Sequence, residues 1–513
     1  MAKLFLRPGT PDDNNREYLP ESLFQSDIVV NENGNNSQPF PERLQECRGI
    51  LDEEGNVVQE LEKGISGLWY EYVPASYQPG KKVPLVLSMH GGLMTGWGQC
   101  VYSSWSMVAE REGFICVFPN GHVNRFWQIQ IFGDRKEKPK ALNGMEFPAP
   151  APSIEENVDC NFVLRLIKHL EKKYSIDAGR TFMQGMSNGC GMTLQFARRY
   201  GYLLAGAAAS AGPVCIKDFI DEKRQLVNQG GPLAMWESHP ENNRFGSGAV
   251  EAEARRIRES RYYWLSVNGC DPLPQIRLEG EMNLAFFQEG MAPYVFMDIK
   301  GRDHGQTLDE AFFYWDYLFG GSRRQEDGSH QQEVPPLTMK GDENAAAFFP
   351  GVPAVWWHNK KVPLSAAPVR WQKLKYHGLE GGTMVRGEYT CVPLGILAEM
   401  AGARLETASD TLTAVMILPD GRRLQFARGS IGCMIDDRLR SMCCQALHRE
   451  GQLLISVEWF ARYILNWTVT TCNGVTYVTD HYAELSTFMA DLLQDILTDQ
   501  VLPDNFIDRA LAD

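Results

Sequence analysis

Residues 181–192, Thr-Phe-Met-Gln-Gly-Met-Ser-Asn-Gly-Cys-Gly-Met, constrain this chain more than any other stretch. They predict a short strand, a sharp turn on Ser187, and a helix through Met192, Phe196, Ala197 and Tyr200. Gly185-x-Ser187-x-Gly189 is the nucleophile-elbow pattern. A serine raised into a strained strand-to-helix turn needs neighbours without Cβ atoms, so that strand and helix can close around it. The helix that follows aims its free N–H groups at the point where charge develops on an attacked carbonyl. Cys190 lies on the helix side of Gly189 rather than at the apex, so it reads as packing and not as a thiol nucleophile.

An elbow requires a sheet to stand on. Leu68–Val73, Pro84–Met89 and Phe114–Phe118 are apolar runs that suit strands, the latter two covered on both faces. Ser153-Ile-Glu-Glu156 predicts a capping box, with Val163, Leu166, Ile167 and Leu170 on one helical face behind it. Strands are expected at 181–184, Ala207–Ser210, Pro232–Trp236 and Tyr294–Ile299. A last helix should carry Leu308, Phe312, Trp315 and Phe319. Strands and helices in alternation imply an α/β class, a doubly wound and mostly parallel sheet.

At 513 residues the chain exceeds one ordinary core. Residues 1–65 read as an irregular N-terminal arm, 66–321 as an α/β catalytic domain, 322–345 as a linker and 346–513 as a C-terminal α+β accessory domain. In that last part Val392–Gly402 and Ile455–Leu465 share one apolar pattern, Val392 matching Ile455, Leu394 Val457, Leu397 Phe460 and Ala398 Ala461. Each precedes a strand-like segment, which predicts a duplicated helix-plus-strand unit. A net charge of −14 argues against nucleic acid as the main partner, and no apolar run is long enough to span a bilayer. Twelve cysteines without C-x-x-C or zinc spacing are expected to be reduced and mostly buried. Met1–Pro8 lacks the pattern of a signal peptide. That N-terminus, if native, implies a cytoplasmic protein; a removed leader would imply a secreted or cell-surface one.

A serine nucleophile needs a base, and the base an orienting group. With an elbow the order along the chain is Ser, acid, His. His304 follows the last expected strand within Gly301-Arg-Asp-His304-Gly305, where such a base belongs. Two amides should hold the oxyanion: that of Asn188, and that of Gly92 in His90-Gly91-Gly92-Leu93, or Leu93 if the register slips. Trp97, Trp127 and Trp236 fall near the expected site and offer faces for an aromatic acyl group or a sugar.

Six ordered motifs now stand together: Pro84–Gly92, Phe118-Pro-Asn-Gly121, Tyr174-Ser-Ile-Asp177-x-x-Arg180, Gly185–Gly189, Trp264–Cys270 and Gly301–His304. Over residues 66–320 the chain resembles the polyhydroxybutyrate depolymerase and feruloyl/acetylxylan esterase family of α/β-hydrolases. That resemblance implies hydrolysis of a carboxylic ester through an acyl-serine, without metal or organic cofactor. It also implies an acid in a His-Gly-x-x-Asp turn, and there this chain departs, having Glu237-Ser-His-Pro-Glu241-Asn-Asn. Counting from Pro232 puts the acid on Glu241. A shifted loop would put it on Glu237 or Asp271, and Asn243 in that place would leave no acid at all. The C-terminal part, through Tyr389–Glu399 and its repeat, is similar to the repeated domain named for the N-terminal region of copper amine oxidases. This likeness implies no metal and points to oligomer or surface contacts.

Overall fold

The computed structural model describes residues 43–64, 66–122, 125–129, 148–149, 151, 153–212, 219–243, 250–377 and 382–512. Among the described residues ten strands make the main sheet. In chain order they are β1 Leu44–Arg48, β2 Leu68–Tyr72, β3 Val83–Met89, β4 Ile115–Pro119, β5 Ile176–Met186, β6 Gly206–Ser210, β7 Ala234–Asn242, β8 Gln275–Glu279, β9 Met282–Phe287 and β10 Tyr294–Asp303. Their order across the sheet is β1-β2-β4-β3-β5-β6-β7-β10-β9-β8. The six strands from β4 to β10 are parallel, and each end of the sheet is antiparallel.

Side chains alternate between two cores, as period-two geometry requires. Leu85, Leu87 and Met89 of β3 enter one core and Val86 the other. The first core is closed by helices α3 (Val158–Lys173), α4 (Asn188–Tyr200) and α5 (Val250–Asn268). Helices α1 (Gly96–Tyr102) and α2 (Trp105–Glu112), with α6 (Glu310–Phe313) and its π-turn and 3-10 continuation to Gly321, close the second.

Four details differ from the sequence expectations. Half of the capping box at Ser153 forms, Glu156 N donating to Ser153 Oγ at 3.3 Å while the Glu156 carboxylate accepts from the Ser153 hydroxyl, and it belongs to a turn. Helix α3 itself starts at Val158, capped by Asn157, whose side chain accepts from Cys160 N at 2.9 Å. Leu308 is exposed ahead of the last helix, while Trp315 and Phe319 are buried. The described part of the N-terminal arm is regular: β1 pairs with β2, and the following hairpin packs on α3, where His169 Nδ1 lies 3.0 Å from Gly55 O. The rest of the arm, residues 1–42 and 65, lies outside the described residues. Residues 322–345 start as a short hairpin rather than a bare linker. Arg324, buried, donates to the carbonyls of Leu204, Gly201 and Pro232.

Beyond residue 345 smaller antiparallel sheets surround a third core. All eight residues of the matched pattern, from Val392 to Ala461, are buried in it. Each copy begins as strand and turns helical two residues later, into α7 (Leu394–Met400) and α8 (Val457–Phe460). Val392 and Ile455, equivalent in the pattern, are direct cross-strand partners. Segments of matching pattern that pair about their own equivalent positions are what a local two-fold would produce.

The chain then returns to the first core. Helix α9 (Thr487–Leu497) buries Phe488, Met489, Leu492, Leu493 and Ile496 among residues of the main sheet and α5. Asp298 of β10 accepts from Phe488 N at 2.8 Å, and Arg258 and Arg261 of α5 pair with Asp495. The covering layer over β10 is thus supplied by the C-terminal end of the sequence.

Close packing separates the glycines sharply. A Cβ on Gly189 would lie 2.6 Å from His90 O and closer still to Met89 O, whereas nothing stands within 4 Å of one on Gly395, exposed in α7. Gly189→Ala is expected to lose roughly 3 kcal/mol through backbone displacement. Gly395→Ala should gain about 0.5–1 kcal/mol through helix propensity. Urea unfolding of the two variants checks the opposite signs.

Candidate active site

Ser187 links β5 to α4 at φ 55° and ψ −113°, a backbone conformation that a residue with a Cβ seldom holds. The strain is held from both sides. Ser187 N donates to Ser210 O at 2.9 Å, and a Cβ on Gly185 would overlap the Gly189 carbonyl. Only glycine at both positions lets β5, α4 and the end of β3 meet.

His304 closes the first pair. Ser187 Oγ donates to His304 Nε2 at 2.9 Å. His304 Nδ1 in turn donates at 2.5 Å to Oδ1 of Asn243. The register of β7 against β10 explains this. Pro240 pairs with Ile299, a bulge follows on β10, and Asn242 then pairs with Asp303, which places the next residues, Asn243 and His304, side by side.

Glu241 does not reach His304, contrary to the count from Pro232. Its carboxylate accepts from Lys300 Nζ (2.9 Å), Gly301 N (2.9 Å), Thr487 N (2.8 Å) and Thr487 Oγ1 (2.7 Å). The count fails because β7 runs on to Asn242, so that Glu241 is still within the strand. Burial alone would raise its carboxyl, but Lys300, Gly301 and Thr487 together hold it below the ordinary value. Glu237 is buried and accepts from Ser260 Oγ and Tyr294 OH, its carboxyl pushed up to about 7 by burial. Asp271 is exposed and caps a turn through Leu273 N.

The tryptophans part company. Trp97 is half-buried and packs with Met94, Val101, Met186 and Ala211 beside the elbow. Trp127 is 1% exposed; its indole N–H donates to His90 O at 2.8 Å and its backbone N to Asn188 Oδ1 at 2.7 Å. It braces the turn at His90 and offers no face to a ligand. Trp236 is fully buried in the second core, donating to Ser238 Oγ, and is removed from the site. Cys190 is buried, its Sγ donating to Gly212 O, with the thiol raised well above its ordinary value by burial.

The turn carrying Gly92 is fixed by a buried histidine. His90 Nε2 accepts from Gly121 N at 2.9 Å, and burial lowers His90 to about 4, so its ring is neutral. Leu93 N donates to Arg125 O at 3.0 Å, which occupies the amide of the slipped register. Beneath the site lies a buried polar network that sequence patterns did not disclose. Gln184 accepts from Ser88 Oγ (2.8 Å) and Trp105 Nε1 (2.9 Å) and donates to Gln306 (3.0 Å), two residues past His304. Glu310 accepts from Thr307 N and Tyr314 OH and holds the other end of the histidine loop. Among the described residues no group of three or more His, Cys, Asp or Glu is placed to hold a metal ion.

The fold and the elbow define an α/β-hydrolase architecture, and comparisons with known proteins can be set beside it. No family model matches the chain. A bifunctional acetylxylan esterase/xylanase of Neocallimastix patriciarum is 26% identical over 153 residues, 30% of this chain. The chain matches only about a fifth (19%) of the length of that curated relative. Among solved structures, an acetyl xylan esterase from Aspergillus awamori is 18% identical with a TM-score of 0.35, covering 53% of this chain and 97% of its own. A ferulic acid esterase from Anaeromyces mucronatus with bound ferulic acid is 14% identical with a TM-score of 0.29, covering 53% and 88%.

Burial lowers the His304 imidazole from its ordinary 6.5, with Asp303 opposing. Its neutral, proton-accepting form therefore persists to more acidic pH than a free histidine's. Reaction of Ser187 with an activated ester should decline only as pH falls through that lowered value, giving an acid limb below about 6.5. Glu241→Gln should leave that limb in place and reduce stability instead. The carboxylate's contribution is present above the ordinary 4.5 and is lost as pH falls through its lowered value, so the deficit should shrink towards low pH. Stopped-flow acylation and thermal melts across pH separate the two effects.

Proposed function

We propose that this chain is a serine carboxylic-ester hydrolase acting through an acyl-enzyme. The observation that carries the reading is Ser187 Oγ on His304 Nε2 at 2.9 Å, at the apex of a strained elbow. His304 takes the serine proton as Oγ attacks the ester carbonyl. It returns that proton to the leaving alcohol, then activates the water that releases the acid. The backbone N–H of Asn188 at the start of α4 and that of Gly92 hold the oxyanion. Asn243 fixes the ring so that Nδ1 bears hydrogen and Nε2 is free to accept.

The substrate class we favour is a feruloyl or acetyl ester of a plant polysaccharide. The partial likeness to an acetylxylan esterase/xylanase supports it, as does half-buried Trp97 beside the elbow. A polyester substrate is the alternative on the same scaffold. A second reading, a hydrolase fold retained for binding, is favoured by one observation: the partner of His304 is a neutral amide. The C-terminal duplicated region we assign to surface or oligomer contacts, on its likeness to the repeated domain named above.

A fluorophosphonate probe decides between enzyme and binding protein. Labelling of the folded chain is expected, and its loss in Ser187→Ala; an unlabelled wild type favours the binding reading. Turnover of methyl ferulate or acetylated xylan at least about tenfold above hydroxybutyrate oligomers, a difference of roughly 1.4 kcal/mol in barrier, supports the polysaccharide ester.

A further inference from the structure

The amide of Asn243 has two ends, and only one of them suits the proposed mechanism. With Nε2 accepting from Ser187, Nδ1 must carry hydrogen and needs an acceptor. If the amide turned over, its NH2 would face Nδ1, force the proton onto Nε2 and deny Ser187 its base. An asparagine left to itself has no preference of this kind. In aspartate-based triads the carboxylate has none to make, and replacing it with asparagine fails because the wrong tautomer results.

Here the far end of the amide is engaged. Asn243 Nδ2 donates to Oε1 of Glu253, on the first turn of α5, at 2.7 Å. An ionised carboxylate only accepts, so it can bind the NH2 end and never the carbonyl end. The backbone of Asn243 is tied as well, its N donating to Pro240 O at 3.1 Å. We infer that Glu253 is a positioning residue, which selects the amide orientation of Asn243 and so completes a Ser187–His304–Asn243–Glu253 relay. The inference rests on the esterase reading above. It explains how a chain without an acid beside its histidine keeps the active tautomer, and it returns a negative charge to the relay one residue further out. Among the described residues, Arg256 beside Glu253 on α5 and Asp303 beside His304 on β10 are charged groups acting on the pair; burial raises the Glu253 carboxyl above its ordinary value, with Asn243 and Arg256 opposing.

The test uses the full-length chain, a fluorophosphonate probe and p-nitrophenyl acetate. Glu253→Gln keeps the shape but offers Asn243 a donor as readily as an acceptor. Its labelling rate and kcat should fall about tenfold with KM within twofold. Its acid limb should move to lower pH by roughly half a unit, because a negative charge near the imidazolium is gone. In the double variant Asn243→Asp with Glu253→Gln, a carboxylate faces His304 directly and its other oxygen accepts from the amide introduced on α5. The rate should then return and the acid limb rise to or above the wild-type position. A folded Glu253→Gln with unchanged kcat and acid limb overturns the inference, as does a double variant no faster than the single one. Should Glu253→Gln not fold, Asn243→Asp alone serves. Two carboxylates in contact must share a proton, adding an ionisation to the rate profile that wild type lacks, and its absence also overturns the proposal. An unlabelled wild type would instead remove the esterase reading itself, so the two failures are distinguishable.

Discussion

Three backbone segments meet within van der Waals distance at one point above the sheet: the end of β3, the end of β5 and the first turn of α4. The contact of Gly189 with the carbonyls of Met89 and His90 admits no side chain, and neither does that of Gly185 with Gly189. This closeness forces Ser187 into its unusual backbone geometry and aims its hydroxyl outward. It also brings the start of α4 against the carbonyls of Met89 and His90, where the turn at Gly92 begins. The strain of one residue is a cost of about 1–3 kcal/mol, and it persists because the two cores on either side of the sheet over-determine the strand and helix positions.

The parts of the fold that were legible in the sequence are those set by local chemistry. Glycines with no room for a Cβ, buried strands without polar interruption and the Gly301–Gly305 loop all lie within short windows, and the expected serine and histidine do meet. The orienting group was not legible, because it depends on where β7 ends and on a bulge in β10. Both are long-range pairings that no window of residues contains. Glu241 illustrates the difficulty: an acid at the expected distance turns out to serve the strand ends and α9. The buried glutamines under the site were equally hidden, since Gln184, Gln99 and Gln306 come from three distant segments that no local pattern links. Helix α9 falls within the expected C-terminal unit, because sequence order says nothing of a chain that returns to its first core.

That return gives the C-terminal region a bearing on the site. Glu241 and Asp298 leave adjacent strands, β7 and β10, and both accept from the first amides of α9. Acidic groups at a helix N-terminus are favourable through its unsatisfied N–H groups and its dipole. The effect here is to fasten together the two strand ends that carry Asn243 and His304. Asp298 is fully buried and pushed up to about 7 by burial, against the amides that hold it down. The junction is consequently one in which loss of α9 would leave two carboxylates and the strand ends without their partners.

The same arrangement accounts for a neutral group next to His304. An aspartate at position 243 would stand against Glu253 and join Asp303 near a single half-buried imidazole. Each added negative charge raises the pKa of that imidazole, and burial is the only opposing force of comparable reach. Replacing the inner carboxylate by an amide keeps the hydrogen bond and its direction, while the charge is held one residue further away. The ring keeps its orientation through a neutral, weaker hydrogen bond and stays unprotonated over a wider range of pH. On this view Asn243 is no decayed aspartate. It is the form the inner position takes when α5 already supplies the acid.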